Sequence, residues 1–340
     1  MAKSGQVTLT DIAHRLNVSK VTVSKALRDH PDIGTETKRL VREMARELGY
    51  TPNFIARNLS AKSTQTIGLV VPKIAHHFFA TAIEAIYSAA SESNYEIIMT
   101  VSQERAENEV KHIETLLAMR VDGLLVSVTE HTKSTAIFEW VRDKGVPLVF
   151  FDRTINGLGF STVTADDAGG AYLAVHHAIR QGYTKIAHVA GYAYTNVGRK
   201  RMAGYQRALR EAGLEMRAEW VVKGGFGEQA GHEGFKQIHR SGNLPEIVFA
   251  VSYPVALGIY AGIFETNLSI PDDIDVISFG GSHENKFVSP AITCVDQPAE
   301  EIGRTATELL LQEIASAAER REQHLVLPTH LIVGDTCVGK

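Results

Sequence analysis

From Ser19 to Lys25 the chain reads Ser-Lys-Val-Thr-Val-Ser-Lys, placing two lysines and three short hydroxyls on about two turns of helix. Hydroxyls and long cations on one helix suit hydrogen bonding to base edges and phosphates in a DNA groove. A second set of chemically capable residues is dispersed along the chain: His76 to Phe79, Asp152-Arg153, Asn196 to Arg201, Ser252-Tyr253 and Gly280 to His283. Brought together, rings, a carboxylate and guanidiniums suit a polyol. The apolar faces of a sugar lie on rings while its hydroxyls take charged partners. Taken singly, Phe78 and Phe79 fit a core equally well, and Arg201 an external ion pair.

Other chemistries find little support. Gly225-Phe226-Gly227-Glu228-Gln229-Ala230 has the glycine spacing of a dinucleotide loop, but it falls late, after a short polar strand, with no acidic residue correctly placed beyond it. His76-His77 and His176-His177 lack the i, i+4 spacing of a helical metal site. There is no Gly-x-Ser-x-Gly, P-loop or His-Glu-x-x-His string. No metal, no cofactor and no enzymatic activity are expected.

The surrounding chain limits what these residues can belong to. With 340 residues, 44% apolar and 22% charged, it is neither disordered, nor collagen-like, nor a disulfide-stapled scaffold. Its two cysteines, Cys294 and Cys337, are far apart and fit a reducing compartment. The N-terminus shows no secretory signal, and no run approaches the ~18 apolar residues of a membrane helix. A cytoplasmic protein without membrane association is expected. The net charge of −4 conceals an asymmetry: residues 1–62 hold eleven Lys/Arg against six Asp/Glu, leaving the remainder acidic. A basic head on an acidic body points to a polyanion at the head.

The head reads as three helices. Thr8 and Asp11 bracket a start in a variant capping box, giving a helix over Leu9 to Leu16. Asn17-Val18-Ser19 makes a turn, with Ser19 capping a second helix from Lys20 to Leu27. Asp29 to Gly34 is a loop. A third helix, Thr35 to Leu48, turns Leu40, Val41, Met44, Ala45 and Leu48 inward and stops at Gly49. This is the pattern of a helix-turn-helix, although a protein-interaction bundle has similar helices. Beyond it, Asn53 can cap a short helix ending near Leu59. That leucine would be either linker packing or an apolar wedge for the minor groove.

The body alternates strand and helix. Apolar runs at Ile67–Val71, Glu96–Thr100, Gly123–Ser127, Leu148–Phe151, Lys185–Ala190, Ile247–Val251 and Asp275–Phe279 are separated by helical stretches such as Phe79–Ser93 and Ala106–Met119. That alternation means parallel sheets covered by helices, in two lobes. Open parallel sheets bind ligands beyond the carboxyl ends of their strands, where the second set of residues falls.

Val7-Thr8-Leu9-Thr10-Asp11-Ile12-Ala13, Val18 through Leu27, Gly49-Tyr50-Thr51-Pro52-Asn53 and Ala56-Arg57-Asn58-Leu59 together resemble the headpiece and hinge of the lactose/galactose repressor (LacI/GalR) family. The resemblance extends over essentially the whole chain. It implies an all-α helix-turn-helix headpiece followed by an α/β two-lobed effector domain of doubly wound parallel sheets, similar to periplasmic sugar-binding proteins. The expected domains are residues 1–52, a hinge at 53–62, and a body at 63–340. In that body, lobe 1 takes about 63–161 and 293–325, and lobe 2 about 162–292 and 326–340.

By the same resemblance, Lys20, Val21 and Lys25 are the principal base readers, and Leu59 meets its dimer mate in the minor groove. Thr8, Ser19, Thr22, Ser24, Asn53 and Arg57 complete the expected DNA-binding set. Phe78, Phe79, Asp152, Arg201 and Phe226 fall on effector-contact positions, with Arg199 as a nearby second guanidinium. Lys25 stands where the family usually has Arg, and Gly34 where a Ser cap is common. Ser252-Tyr253 replaces the usual Asn-Asp pair, and Gly280 the usual Asp after the late strand. The implied function is a ligand-gated regulator, a repressor by family expectation, that binds a pseudo-palindromic double-stranded operator as a homodimer or tetramer. Its effector would be a sugar or sugar acid. The rival is a plain solute-binding protein of the periplasmic type. Dimer contacts are expected through helices near Phe79–Ser93 and Pro298–Ala318.

Overall fold

The computed structural model of the chain describes residues 7–50, 63–281, 283–316 and 321–339. They fall into two compact units, Met1–Ser63 and Thr64–Lys340.

The small unit packs α1 (Leu9–Leu16), α2 (Lys20–Leu27) and α3 (Thr35–Glu47) around Ile12, Ala13, Val23, Ala26, Val41 and Ala45. Helix α1 starts where Asp11 accepts hydrogen bonds from the Thr8 N–H and hydroxyl, both at 2.8 Å. Asn17 turns the chain at φ 49, in the left-handed region that Asn tolerates better than most residues. Ser19 then caps α2, its hydroxyl accepting from the Thr22 N–H at 3.0 Å. Leu40, expected inward, is 41% exposed. Val41 and Ala45 set the buried stripe of α3, and a step of about 100° per residue swings Leu40 off it.

The large unit opens with β1 (Thr66–Val71), α4 (His77–Glu92), β2 (Glu96–Val101), α5 (Ala106–Ala118), β3 (Gly123–Val126), α6 (Ala136–Asp143), β4 (Leu148–Phe151) and β5 (Ser161–Ala165). It continues with α7 (Asp167–Arg180), β6 (Ile186–Ala190), α8 (Asn196–Glu211), β7 (Val221–Lys223), α9 (Glu228–Arg240), β8 (Ile247–Ala250), α10 (Tyr253–Phe264), β9 (Asp275–Phe279) and β10 (Thr293–Asp296). It closes with α11 (Ala299–Ala315), β11 (His324–Leu327) and β12 (His330–Ile332).

One sheet has the order β11-β5-β4-β3-β1-β2, the other β12-β10-β9-β8-β6-β7. Every pair is parallel except β10 with β12. All residues of β1, β3, β4, β6, β8 and β9 are buried, as strands must be when helices cover both faces. Strand order reverses between β1 and β3 in the first sheet and between β6 and β8 in the second. Such switch points open crevices at the carboxyl ends of the strands.

Two of the three crossings between lobes lie beyond their expected places at 161–164 and 290–293, and the third falls within the expected 325–328. Strand β5 runs in the first sheet to Ala165, β10 belongs to the second sheet through Asp296, and β11 stays in the first through Leu327. The lobe limits near 161, 293 and 325 therefore move to about 165, 297 and 327. Polar Ser161-Thr162-Val163-Thr164 and Thr293-Cys294-Val295-Asp296 look like connections in sequence. Yet β5 is buried throughout and β10 through its first three residues, because each is flanked by strands on both sides. Helix α11 returns to the first lobe and packs on α4, where a Cβ at Gly303 would come within 2.4 Å of the Ala82 carbonyl oxygen. No helix among the described residues is long and apolar enough to cross a membrane.

Candidate nucleic-acid interface and ligand cleft

Helix α2 carries no acidic residue. Lys20 is exposed, Val21 is 64% exposed, and Thr22, Ser24 and Lys25 are half-buried. Three carboxylates of the unit are spent elsewhere: Asp29 pairs with Lys38 and Arg42, and Glu36 and Glu43 with Arg39. Several expected contact residues already serve the fold. The Thr8 hydroxyl is bonded to Asp11, and the Ser19 and Thr22 hydroxyls lie 2.8 Å apart. Lys25 Nζ sits 2.8 Å from Asp32. To read a base it must exchange that exposed pair, worth about 0–1 kcal/mol, for the base edge. Asn53, Arg57 and Leu59 lie outside the described residues.

Lys25→Ala is expected to lose about 1–3 kcal/mol at one base position and to relax specificity there. Anisotropy titrations against an operator set with single-base changes check this. A loss uniform over all positions would make Lys25 a phosphate contact instead.

The large unit holds a cavity of about 590 Å³, within the range of small-molecule sites. Phe78, Phe79, Asp152, Arg201, Phe226, Ser252, Tyr253 and Gly280 all line it, supplied by loops and helix starts after β1, β4, β6, β7, β8 and β9. Arg199 does not. It is exposed on α8, two residues from Arg201, and two steps of a helix put it on roughly the opposite side.

Two guanidiniums dominate the floor. Arg201 Nε and Nη2 reach Asp167 at 2.9 and 2.8 Å, and Nη1 donates to the Val251 carbonyl at 2.6 Å. Its plane lies 3.5 Å from the centre of the Phe279 ring. Arg201 is thus built into the second lobe rather than held free for a ligand. Arg153, a strand-end candidate together with Asp152, is buried as well. Its Nη1 reaches both oxygens of Glu104 at 2.8 and 3.0 Å, and its guanidinium lies 4.9 Å from the Phe226 ring centre.

Asp152 is different. It follows β4 in the left-handed region, φ 56, and its main-chain carbonyl accepts from Asn196 Nδ2 at 2.9 Å. Its carboxyl takes no hydrogen bond from the described residues. Burial pushes it up to about 6, opposed mainly by Arg153. Asn196, on the other lobe, also accepts from the Thr154 N–H at 3.1 Å. Phe226 donates its N–H to Glu130 across the cleft at 3.3 Å. His77 and His283 stack at 4.3 Å between the lobes. The two lobes are therefore closed on each other.

The departures at the late strands have a steric consequence. A Cβ at Gly281, φ 105, would lie 1.9 Å from the Tyr253 ring, so that glycine makes room for the tyrosine. The Ser252 hydroxyl is occupied with the Phe226 carbonyl at 2.9 Å. Gln297, at the end of β10, also lines the cavity and was missed with its strand. The Gly225–Ala230 string forms the approach to α9, with Gly227 at its N-cap.

A helix-turn-helix unit joined to a two-lobed α/β unit with a ligand-sized cleft defines a DNA-binding regulator that carries its own effector domain. Residues 8–53 match the model of the bacterial regulatory proteins of the lacI family, and residues 175–337 that of the periplasmic binding protein-like domain. The HTH-type transcriptional repressor PurR of Erwinia tasmaniensis is 33% identical over 324 residues, 95% of this chain and 94% of that one. The structure of the lac repressor dimer bound to operator and the anti-inducer ONPF is 25% identical with a TM-score of 0.85, over 98% and 100% of the two chains. A complex of the transcriptional regulator CelR with cellobiose is 26% identical with a TM-score of 0.75, over 97% and 99%. The chain belongs to the lacI family of bacterial regulatory proteins. It is a DNA-binding regulator, and the transport and enzyme readings give way to that.

Proposed function

We propose that the protein is a cytoplasmic repressor that binds a pseudo-palindromic operator as a homodimer. A small polyhydroxylated effector between the lobes sets its operator affinity. The observation that carries this reading is the Asp152 carboxyl: buried, lining the cavity, and without a hydrogen-bond donor from the described residues. Its oxygens open into the cavity, where ligand hydroxyls would bond them, with Phe78 and Phe226 offering apolar faces. The relatives support the same direction, one being a repressor, one an operator-bound dimer and one a cellobiose complex.

The chain crosses between lobes after β5, β10 and β11, so opening and closing can be a near-rigid hinge motion. By the family resemblance, this motion governs whether residues 53–62 of two subunits, with Asn53, Arg57 and Leu59, meet at the operator centre. The effector acts only through its difference in affinity for the two states, typically about 1–3 kcal/mol of coupling.

The test is Asp152→Asn, which keeps shape and removes the charge. Operator affinity should stay within about twofold of wild type, while the effector concentration for half-response should rise more than about tenfold, the loss of one hydrogen bond to a charged group. Gel-shift titration with a sugar found by thermal-shift screening reads both. An unchanged effector response would remove Asp152 from the site and this reading with it.

A further inference from the structure

We propose that the ligand of the cleft carries a protonated amine beside its hydroxyls, as in an amino sugar or comparable amino polyol, with Asp152 holding the ammonium group. This rests on the reading of the cleft as the effector site and names the chemical class it takes.

The argument is a charge balance at the cleft floor. Two guanidiniums, Arg153 and Arg201, face three buried or nearly buried carboxyls, Glu104, Asp152 and Asp167. Each guanidinium is already matched one to one, Arg153 with Glu104 and Arg201 with Asp167. Asp152 is the remainder. It is only 9% exposed, lines the cavity, and accepts no hydrogen bond from the described residues. Glu130, which accepts from the Phe226 N–H, adds negative charge beside Arg153. His76 does not offset it, because burial and the neighbouring Lys73 and Arg153 hold its imidazole below the ordinary range. At the rim, Arg304 is taken by Glu92, while Glu284 has no ion-pair partner among the described residues. Glu300 and Glu301 also line the cavity, but they stand in the first turn of α11, where the helix dipole accounts for them.

Over these two guanidiniums and three carboxyls the floor is thus one positive charge short; Lys73, the other cation nearby, stands beside His76 and does not line the cavity. A neutral sugar leaves that deficit in place. A sugar acid would add a further carboxylate to a wall that already has an excess, so of the two ligand kinds the sequence suggests, the acid fits less well. A ligand ammonium supplies the missing charge in a place where water is largely excluded and such a bond is strong.

The sign of the pH dependence follows. A cation beside Asp152 favours its ionised form, so binding releases a proton in the window around 6 where the buried carboxyl titrates. Affinity should climb as the pH rises from 5 to 7, by up to about tenfold for a single released proton, and fall again once the ligand's own ammonium group loses its proton. An anionic ligand would show the reverse slope.

The experiment is calorimetric titration of the full chain with glucosamine, galactosamine and mannosamine, their neutral parents, their N-acetyl forms and glucuronate. At least one amine should bind ten times or more tighter than both its parent and its N-acetyl form. In Asp152→Asn that preference should collapse to within twofold and the pH slope should vanish. Neutral sugar or glucuronate binding as tightly as the amines, or no binding by any amine, overturns the proposal. Neutral-sugar binding that shifts operator affinity and is lost in Asp152→Asn would do so while leaving the effector-site reading standing.

Discussion

Arg201→Ala should destabilise the second lobe by about 3–5 kcal/mol, the usual result of removing one partner of a buried ion pair. Arg201 and Asp167 are 3% and 2% exposed, and the guanidinium also satisfies the Val251 carbonyl at the end of β8. Burial already pushes the Asp167 carboxyl up despite the guanidinium beside it. Without Arg201 that carboxyl is left uncompensated, and the Phe279 ring loses the plane stacked on it. Urea unfolding followed by the fluorescence of Trp220, buried in the same lobe, reads the loss. Arg201→Leu combined with Asp167→Asn should recover part of it, because a neutral pair no longer carries a buried charge. A loss under about 1 kcal/mol for Arg201→Ala would show the pair to be dispensable. An effector-blind Arg201→Ala protein is therefore ambiguous between a lost contact and a loosened lobe. Asp152→Asn separates the two, because the carboxyl of Asp152 takes no hydrogen bond from the described residues.

That contrast shows where sequence reasoning ran out. The buried strands announced themselves as apolar runs, and the rule that ligands sit beyond strand ends pointed to His76–Phe79, Asp152-Arg153, Ser252-Tyr253 and Gly280 without any coordinates. The helix boundaries of the small unit were legible because caps are local: Thr8 with Asp11, Asn17, Ser19. Strands β5, β10, β11 and β12 were not: β5 and β10 are half polar and owe their burial to neighbours distant in sequence, while β11 and β12 are short edge strands left partly exposed. Missing β10 removed Gln297 from view. Partnership was also invisible. Arg199 and Arg201 look equivalent as a string, yet helical rotation sends one to solvent and the other to Asp167, 34 residues away. The same holds for Arg153, whose match with Glu104 leaves Asp152 without an ion-pair partner among the described residues.

Operator affinity should fall by about 10³–10⁵ between 50 and 200 mM salt, as for proteins making 6–10 phosphate contacts. The cations available are those the fold does not consume. Arg39, Lys38 and Arg42 are paired with acids on α3 and its preceding loop, whereas Lys20, Arg15 and Arg28 make no ion pair among the described residues. They lie on or next to α1 and α2, which hold only Asp11 as an acid, and that carboxylate is engaged at the start of α1. Two such units on two half-sites bring the phosphate contacts into the range that gives this slope. The acidic remainder of the chain works against DNA at low salt, but salt screens charges beyond about 10 Å, so its influence fades before the phosphate contacts do. Arg15→Ala should lower the log–log slope by about 1 per half-site and weaken all sequences alike, whereas Lys25→Ala changes the order of preference among operators. Anisotropy titrations at four salt concentrations, with operator and with random duplex, read the slope directly. An operator affinity that changes less than about tenfold over this range would mean that phosphate neutralisation by the basic unit is not what holds the protein on DNA.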